Sequence, residues 1–228
     1  MQRRGKFVTF EGLDGTGKST QMRKLAGALR ASGHRVVETR EPGGTAIGEK
    51  IRRVLLDSST EDLDPLAEMA LMFASRAQHI AEVIRPALER GEIVLCDRFT
   101  DSTEAYQGSG RKLGKEAVLR LHHVLCGDLQ PDLTILLDSH PQQSLGRARA
   151  RNRQTADRAK ESASKHIDEN RFEQEDHNFF LRVRDGYRSI ARRDPRRVIT
   201  VDVSGTPAQT HQKIVELVER KLRLGRET

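Results

Sequence analysis

The stretch FEGLDGTGKST, residues 10–20, sets three glycines, a lysine and a run of hydroxyl side chains behind the short apolar segment KFVTFE, residues 6–11. It matches G-x-x-x-x-G-K-[ST] through Gly12, Gly17, Lys18 and Ser19, after a strand-like run and before a helical one in which Met22, Leu25, Ala26 and Leu29 recur at helical spacing. With glycine at about 7 % of residues, a chance match in a chain this long has odds on the order of one per cent. Gly15 and Gly17 let consecutive backbone N–H groups face phosphate oxygens at a helix N-terminus, where the helix dipole also favours an anion. Lys18 is then expected to reach the β- and γ-phosphates, with the Ser19 hydroxyl on Mg²⁺. The stretch therefore reads as a nucleoside triphosphate site.

Working outward, short β-rich runs alternate with helical patterns. The strands expected are 6–11, 35–39, 92–97, 132–138 and 197–202, and Gly33 is placed to end the first helix. Further helices fit 45–56, 65–90, 114–126, 141–150, 173–192 and 207–223. Strand–helix alternation implies right-handed crossovers, and thus an α/β fold with a five-stranded parallel sheet flanked by helices, with ligands beyond the carboxyl ends of the strands. There is no internal repeat and no interdomain linker, so one domain over residues 1–228 is expected.

Composition narrows the class. Two isolated cysteines, Cys96 and Cys126, form no disulfide framework and no thiolate metal site, which favours a reducing, cytoplasmic setting. No stretch is long and apolar enough for a membrane span, and the apolar run behind the basic start is too short for a signal peptide. The net charge of +7 permits nucleic acid, and equally suits a small polyanion such as a nucleotide. Acids and bases alternate along most of the chain, so stable nucleic-acid binding is not expected; only RARARNRQTADRAK, residues 147–160, is densely basic. Among eight histidines only the neighbours His122 and His123 stand together, and they read as helix surface.

CDRFTDSTEAYQG, residues 96–108, begins at the carboxyl end of another expected strand, on the edge that carries the glycine turn. Asp97 there suits a Mg²⁺ ion or its waters, and Arg98 offers a two-pronged fork to a second phosphate group.

Taken together, EGLDGTGKST, TREPGGT, DRFTDSTEAYQG, PDLTILLD and the arginine-rich segment before NRFEQE resemble the bacterial thymidylate kinases, in that order and over nearly the whole chain. The resemblance implies the P-loop NTPase fold and transfer of the ATP γ-phosphoryl to dTMP, with Mg²⁺, by a cytoplasmic homodimer. It assigns Gly12, Leu13, Asp14, Gly15, Thr16, Gly17, Lys18, Ser19 and Thr20 to ATP. It puts Asp14 near the sugar 3′-hydroxyl, where a helix N-cap is its local alternative. It gives the acceptor phosphate to Arg98 with Arg52, the base edge to Arg76, Thr103 and Gln107, and the underside of the deoxyribose to Tyr106.

Two departures from the family pattern stand out. The base-stacking aromatic usually lies four residues before the base-reading arginine; here Met72 is four before Arg76 and Phe73 three before it, on one helix face. Phe73 is the favoured stacking residue, with Met72 the alternative. The second departure is an extended arginine-rich lid, about residues 147–172, expected to be mobile. Its candidates for stabilising the transferring phosphoryl are Arg147, Arg149, Arg151, Arg153, Arg158 and Arg171, and relatives with RARAR use its last arginine, here Arg151.

Overall fold

The computed structural model describes residues 4–58, 62–127, 129–150 and 171–222. Five strands, β1 (Lys6–Glu11), β2 (Val36–Arg40), β3 (Ile93–Asp97), β4 (Leu133–Asp138) and β5 (Val198–Asp202), form one parallel sheet in the order β2-β3-β1-β4-β5. Each lies within one residue of the run that marked it in the sequence. Central β1 is buried on both faces, as parallel strands covered by helices must be. Val8 and Phe10 pack with Leu25, Leu29, Ile214 and Leu217 of helices α1 (Lys18–Ala31) and α9 (Pro207–Leu222). Phe7 joins the cluster of Met69, Phe73 and Phe99 on the opposite face. The alternation turns Thr9 and Glu11 toward that second face as well.

Because all five strands are parallel, their carboxyl ends and the loops after them gather at one edge. The Phe10–Asp97 pairing sets the start of the glycine turn beside the end of β3, and Arg98 N–H donates to the Phe10 carbonyl at 3.0 Å. Helix α2 (Ala46–Leu56) starts on a Thr45 cap, and α3 (Pro65–His79) on an Asp64 cap followed by proline. The long helix expected over 65–90 is interrupted by a π-helical turn, Ile80–Ile84, before α4 (Arg85–Glu89). The helix expected from 173 opens as a 3₁₀ turn, Arg171–Gln174, and α8 (His177–Arg193) begins on a fresh Asp176 cap. Helix α7 runs from 141 to the last described residue of that segment, 150.

One element was unforeseen. Residues Thr100–Thr103 form a helical turn, α5, that widens into a π-helix over Glu104–Gly110, ahead of α6 (Lys115–Cys126). The DSTEAYQGSG segment carries two glycines and no apolar stripe, so helical periodicity does not reveal it. Its partner is α8, against which it packs Ala105 and Tyr106. His122 is a correction to the surface reading: it is buried, with Nδ1 2.9 Å from Thr100 Oγ1 and Nε2 2.8 Å from Gln130 Nε2, and burial lowers its pKa to about 4. Only His123 is exposed.

Candidate active site

The glycine turn follows β1 as its mechanism requires. Gly12 adopts φ 132° and Gly17 φ 95°, conformations that side chains resist. A Cβ on Gly15 would lie 2.0 Å from the Ser144 carbonyl, so α7 lies directly against the loop. Leu13 and Thr16 are buried, with Thr16 Oγ1 donating to the Leu13 carbonyl at 2.8 Å. Lys18 is buried and folds over the loop, donating to the Gly12 and Leu13 carbonyls at 3.1 and 3.0 Å. Burial lowers its pKa, with Arg98 adding repulsion and Asp14, Asp97 and Glu11 opposing. Ser19 and Thr20 face solvent on the first turn of α1. Gly17, not Asp14, is the N-cap of α1, which removes the capping alternative for Asp14.

Asp14 instead meets Arg98. Arg98 Nη2 donates to Asp14 Oδ1 at 2.7 Å, its Cζ sits 5.1 Å from the Tyr106 ring centre, and its Nη1 donates to Ser102 and Tyr187, each at 3.1 Å. The residue holds φ 75°, a left-handed conformation uncommon outside glycine and asparagine. Its main-chain turn brings the guanidinium to the edge where Asp14 and Lys18 stand, 3.8 Å apart. Tyr106 Oη donates to Asp14 Oδ2 at 3.3 Å, so Asp14, Lys18, Arg98 and Tyr106 form one group.

Beside it, Ser19 Oγ donates to Asp97 Oδ2 at 2.6 Å. Asp97 Oδ1 is buried and has no hydrogen-bond partner among the described residues. A carboxylate oxygen left open next to a hydroxyl, at the N-terminus of α1, is a hard-oxygen donor pair suited to Mg²⁺.

A second group lies behind the loop after β2. Arg76, only 2 % exposed, donates from Nε to Glu41 at 2.7 Å and from Nη2 to Thr103 Oγ1 at 3.0 Å. Its Nη1 is buried without a partner among the described residues. Its Cζ is 4.9 Å from the Phe73 ring centre and 5.1 Å from that of Phe99. Glu41 is held further by His79, whose other nitrogen meets Thr39 at 2.6 Å; burial alone would raise the Glu41 pKa, but Arg76 and His79 bring it below the ordinary value. Arg52 donates to the Pro42 carbonyl at 3.1 Å, at the rim of the same loop.

The two stacking candidates sit differently. Phe73 is wholly covered in the α3 cluster with Arg76 over its ring, whereas Met72 is half-buried and packs against the cluster that includes Tyr106 and Phe172. Gln107 is fully inside, its amide donating to Glu68 at 2.7 Å. Arg171, counted among the lid arginines, is likewise tied down: it donates to the Leu55 carbonyl and to Glu68, at 2.7 and 2.6 Å. It acts as an anchor rather than a reaching side chain. Arg147 and Arg149 donate to Ser139 and to the Glu173 carbonyl. Arg151, Arg153 and Arg158 lie outside the described residues.

Tyr187, Ser102, Glu11 and Glu68 belong to the site's supporting network and were not singled out in the sequence. Tyr187 sits in an amphipathic stretch that reads as core, and Glu11 precedes the motif glycine by one residue.

A parallel sheet in this order, with a glycine-rich phosphate loop between β1 and α1 and a strand-end acid on β3, defines a P-loop NTPase. The family model described as thymidylate kinase matches residues 10–214. The chain is 47 % identical to the thymidylate kinase of Trichlorobacter lovleyi over 216 residues, 95 % of this chain and 98 % of that one. It is 48 % identical to that of Desulfovibrio desulfuricans, over 95 % of this chain and 96 % of the other. The crystal structure of thymidylate kinase from Ehrlichia chaffeensis matches with a TM-score of 0.72 at 31 % identity, covering 94 % of this chain and 99 % of that one. The chain belongs to the thymidylate kinase family. It is a nucleotide-binding kinase, and no helix among its described residues is long and apolar enough to cross a membrane.

Proposed function

We propose that this protein, as one domain, transfers the γ-phosphoryl group of ATP to dTMP, yielding dTDP and ADP. The observation that carries the reading is the placement of two arginines, Arg98 partly buried and Arg76 fully buried, on one sheet edge. Arg98 is aimed out of a left-handed turn beside the phosphate loop, and Arg76 keeps one buried nitrogen unpartnered among the described residues. The first suits the acceptor phosphate and the second a base carbonyl.

In this reading an oxygen of the dTMP phosphate attacks the γ-phosphorus and the bridging oxygen leaves with ADP. The acceptor is largely ionised near neutral pH, so no general base is needed; alignment and charge neutralisation make up most of the catalysis. Lys18 and the loop from Gly12 to Thr20 hold the donor. Arg98, with Arg52, holds the acceptor phosphate, and Asp14 orients Arg98, Lys18 and the sugar. Ser19 and Asp97 would hold Mg²⁺, which supplies charge neutralisation on the donor phosphates. Arg76, Thr103 and Gln107 face the base, Gln107 with its amide nitrogen already committed to Glu68. Tyr106 lies under the sugar.

ADP release over a panel of dTMP, dUMP, UMP and CMP, with and without DNA, tests the assignment. Turnover should be much the fastest with dTMP and indifferent to DNA; a comparable kcat/KM for UMP, or dependence on DNA, overturns it.

For the base platform, Met72 is the face left open and Phe73 works one layer behind, under Arg76. Met72→Ala should therefore raise KM for dTMP with a small loss of thermal stability. Phe73→Ala, emptying a fully buried site, should cost about 3–5 kcal/mol of stability. A KM effect confined to Phe73→Ala would return the stacking role to Phe73.

A cytoplasmic homodimer fits the same reading. The exposed large apolar side chains among the described residues, Ile47, Val54, Leu66, Leu119, Val124 and Leu125, all lie on α2, α3 and α6, and α3 packs against both of the others. A second copy covering that surface predicts twice the chain mass by light scattering; a monomer mass at micromolar concentration removes the dimer.

A further inference from the structure

Glu11 closes β1 immediately before the phosphate loop, is wholly buried, and belongs to no phosphate-binding pattern. Its carboxylate gathers donors from two other elements. Oε1 accepts the Phe99 N–H at 2.7 Å; Oε2 accepts the hydroxyls of Ser102 and Tyr187, the second at 3.0 Å. All three donors adjoin Arg98. Phe99 follows it in the chain, just past the left-handed φ of 75°, and Ser102 Oγ and Tyr187 Oη are the two acceptors of its Nη1.

A hydroxyl has one hydrogen to give. An ionised carboxylate only accepts, so it draws the hydrogens of both hydroxyls and leaves their lone pairs facing the Arg98 guanidinium, which only donates. Without an acceptor at Glu11 the two hydroxyls, 2.8 Å apart, would bond to each other, and one of them would turn its hydrogen toward Arg98 or away from the network. The Phe99 N–H bond holds the same turn from the main-chain side.

We propose that Glu11 is a positioning residue for the acceptor phosphate, acting through Ser102, Tyr187 and the Phe99 amide to aim Arg98. The inference rests on the reading of Arg98 as the arginine that grips that phosphate. The charged groups acting on Glu11 are Asp101, Arg98 and Lys18; burial and then Asp101 push its pKa up to about 7, against Arg98 and the hydrogen bonds from Ser102 and Phe99. Assays belong above that pH, where the carboxylate is ionised.

The test compares the two substrates. Glu11→Gln keeps the size and one acceptor oxygen but turns the other terminus into a donor facing the hydroxyls. KM for dTMP should rise about tenfold or more, the scale of a charge-assisted hydrogen bond, while KM for ATP stays within about twofold. Tyr187→Phe should raise KM for dTMP severalfold, again sparing ATP, and serves as the test if the glutamine variant does not fold. On an Arg98→Ala background Glu11→Gln should add nothing to KM for dTMP. Because Gly12 follows Glu11 directly, a merely structural role would disturb the phosphate loop and raise both KM values alike; that result, or additivity with Arg98→Ala, overturns the proposal. If Arg98→Ala itself leaves KM for dTMP unchanged, the reading of Arg98 fails with it. If Arg98→Ala raises it and Glu11→Gln does not, the positioning role fails alone.

Discussion

Arg98→Ala is expected to lower kcat/KM for dTMP by about 10²- to 10³-fold, with a much smaller change in KM for ATP. Truncating one partner of a buried, hydrogen-bonded charge pair costs about 2–5 kcal/mol, and each 1.4 kcal/mol is tenfold. Two losses combine here. The fork that would receive the acceptor phosphate disappears, and Asp14, which Arg98 pairs at 2.7 Å, keeps its negative charge on the path of a second anion with its shortest ion pair gone. Arg98→Lys should restore little, because an ammonium cannot reach Asp14, Ser102, Tyr187 and a phosphate at once from that backbone position. Steady-state kinetics with either substrate varied decides the matter. A change in kcat/KM for dTMP below about threefold would show that Arg98 is a structural pair for Asp14 and no more.

Arg151→Ala should lower kcat at least a hundredfold with little change in KM for dTMP. Arginine fingers contribute about 10³–10⁵ in kcat in related phosphoryl transfers. The phosphate loop itself offers Asp14 and Thr16 rather than an arginine, so any arginine that joins Lys18 at the transferring group would come from another segment. The described arginines of that segment are engaged elsewhere: Arg147 with Ser139, Arg149 with the Glu173 carbonyl, Arg171 with Glu68 and the Leu55 carbonyl. Arg151 follows Ala148 by three residues, and Ala148 and Ser144 are the α7 residues that meet Gly15 of the loop. Single-turnover rates for alanine variants at 147, 149, 151, 153 and 158 separate the candidates. Normal turnover by Arg151→Ala with failure at another position would move the role; indifference at all five would leave these arginines no part in the chemical step.

What could be read from the amino-acid order was what local chemistry enforces. The phosphate loop is contiguous, its glycines are needed for backbone shape, and strand–helix alternation marks a parallel sheet before any contact is known. Asp97 and Arg98 could be placed because a strand end in such a sheet has a known edge. The supporting network could not be found this way, since its members meet only through the fold. Phe99 and Glu11 are 88 residues apart, and Tyr187 and Glu11 are 176 apart. Glu68 collects Gln107, Arg111 and Arg171 from segments that share no pattern. The π-helix over Glu104–Gly110 escaped for a related reason: its period is not that of an α-helix, and the packing of α8 against it supplies what the segment lacks by itself. The pair His122–His123 looked equivalent, and only the contacts of Thr100 and Gln130 separate the buried ring from the exposed one.

The contact between Gly15 and α7 makes the loop a gauge as well as a cradle. With the Ser144 carbonyl 2.0 Å from where a Cβ would stand and the Ala148 nitrogen 2.9 Å away, even a methyl group would force the two apart by roughly an ångström or more. The missing side chain thus sets the clearance between the glycine turn and the helix that leads into the arginine-rich segment. A substitution at 15 would strain the turn itself, where the glycine holds φ 80°, and push α7 away in the same step.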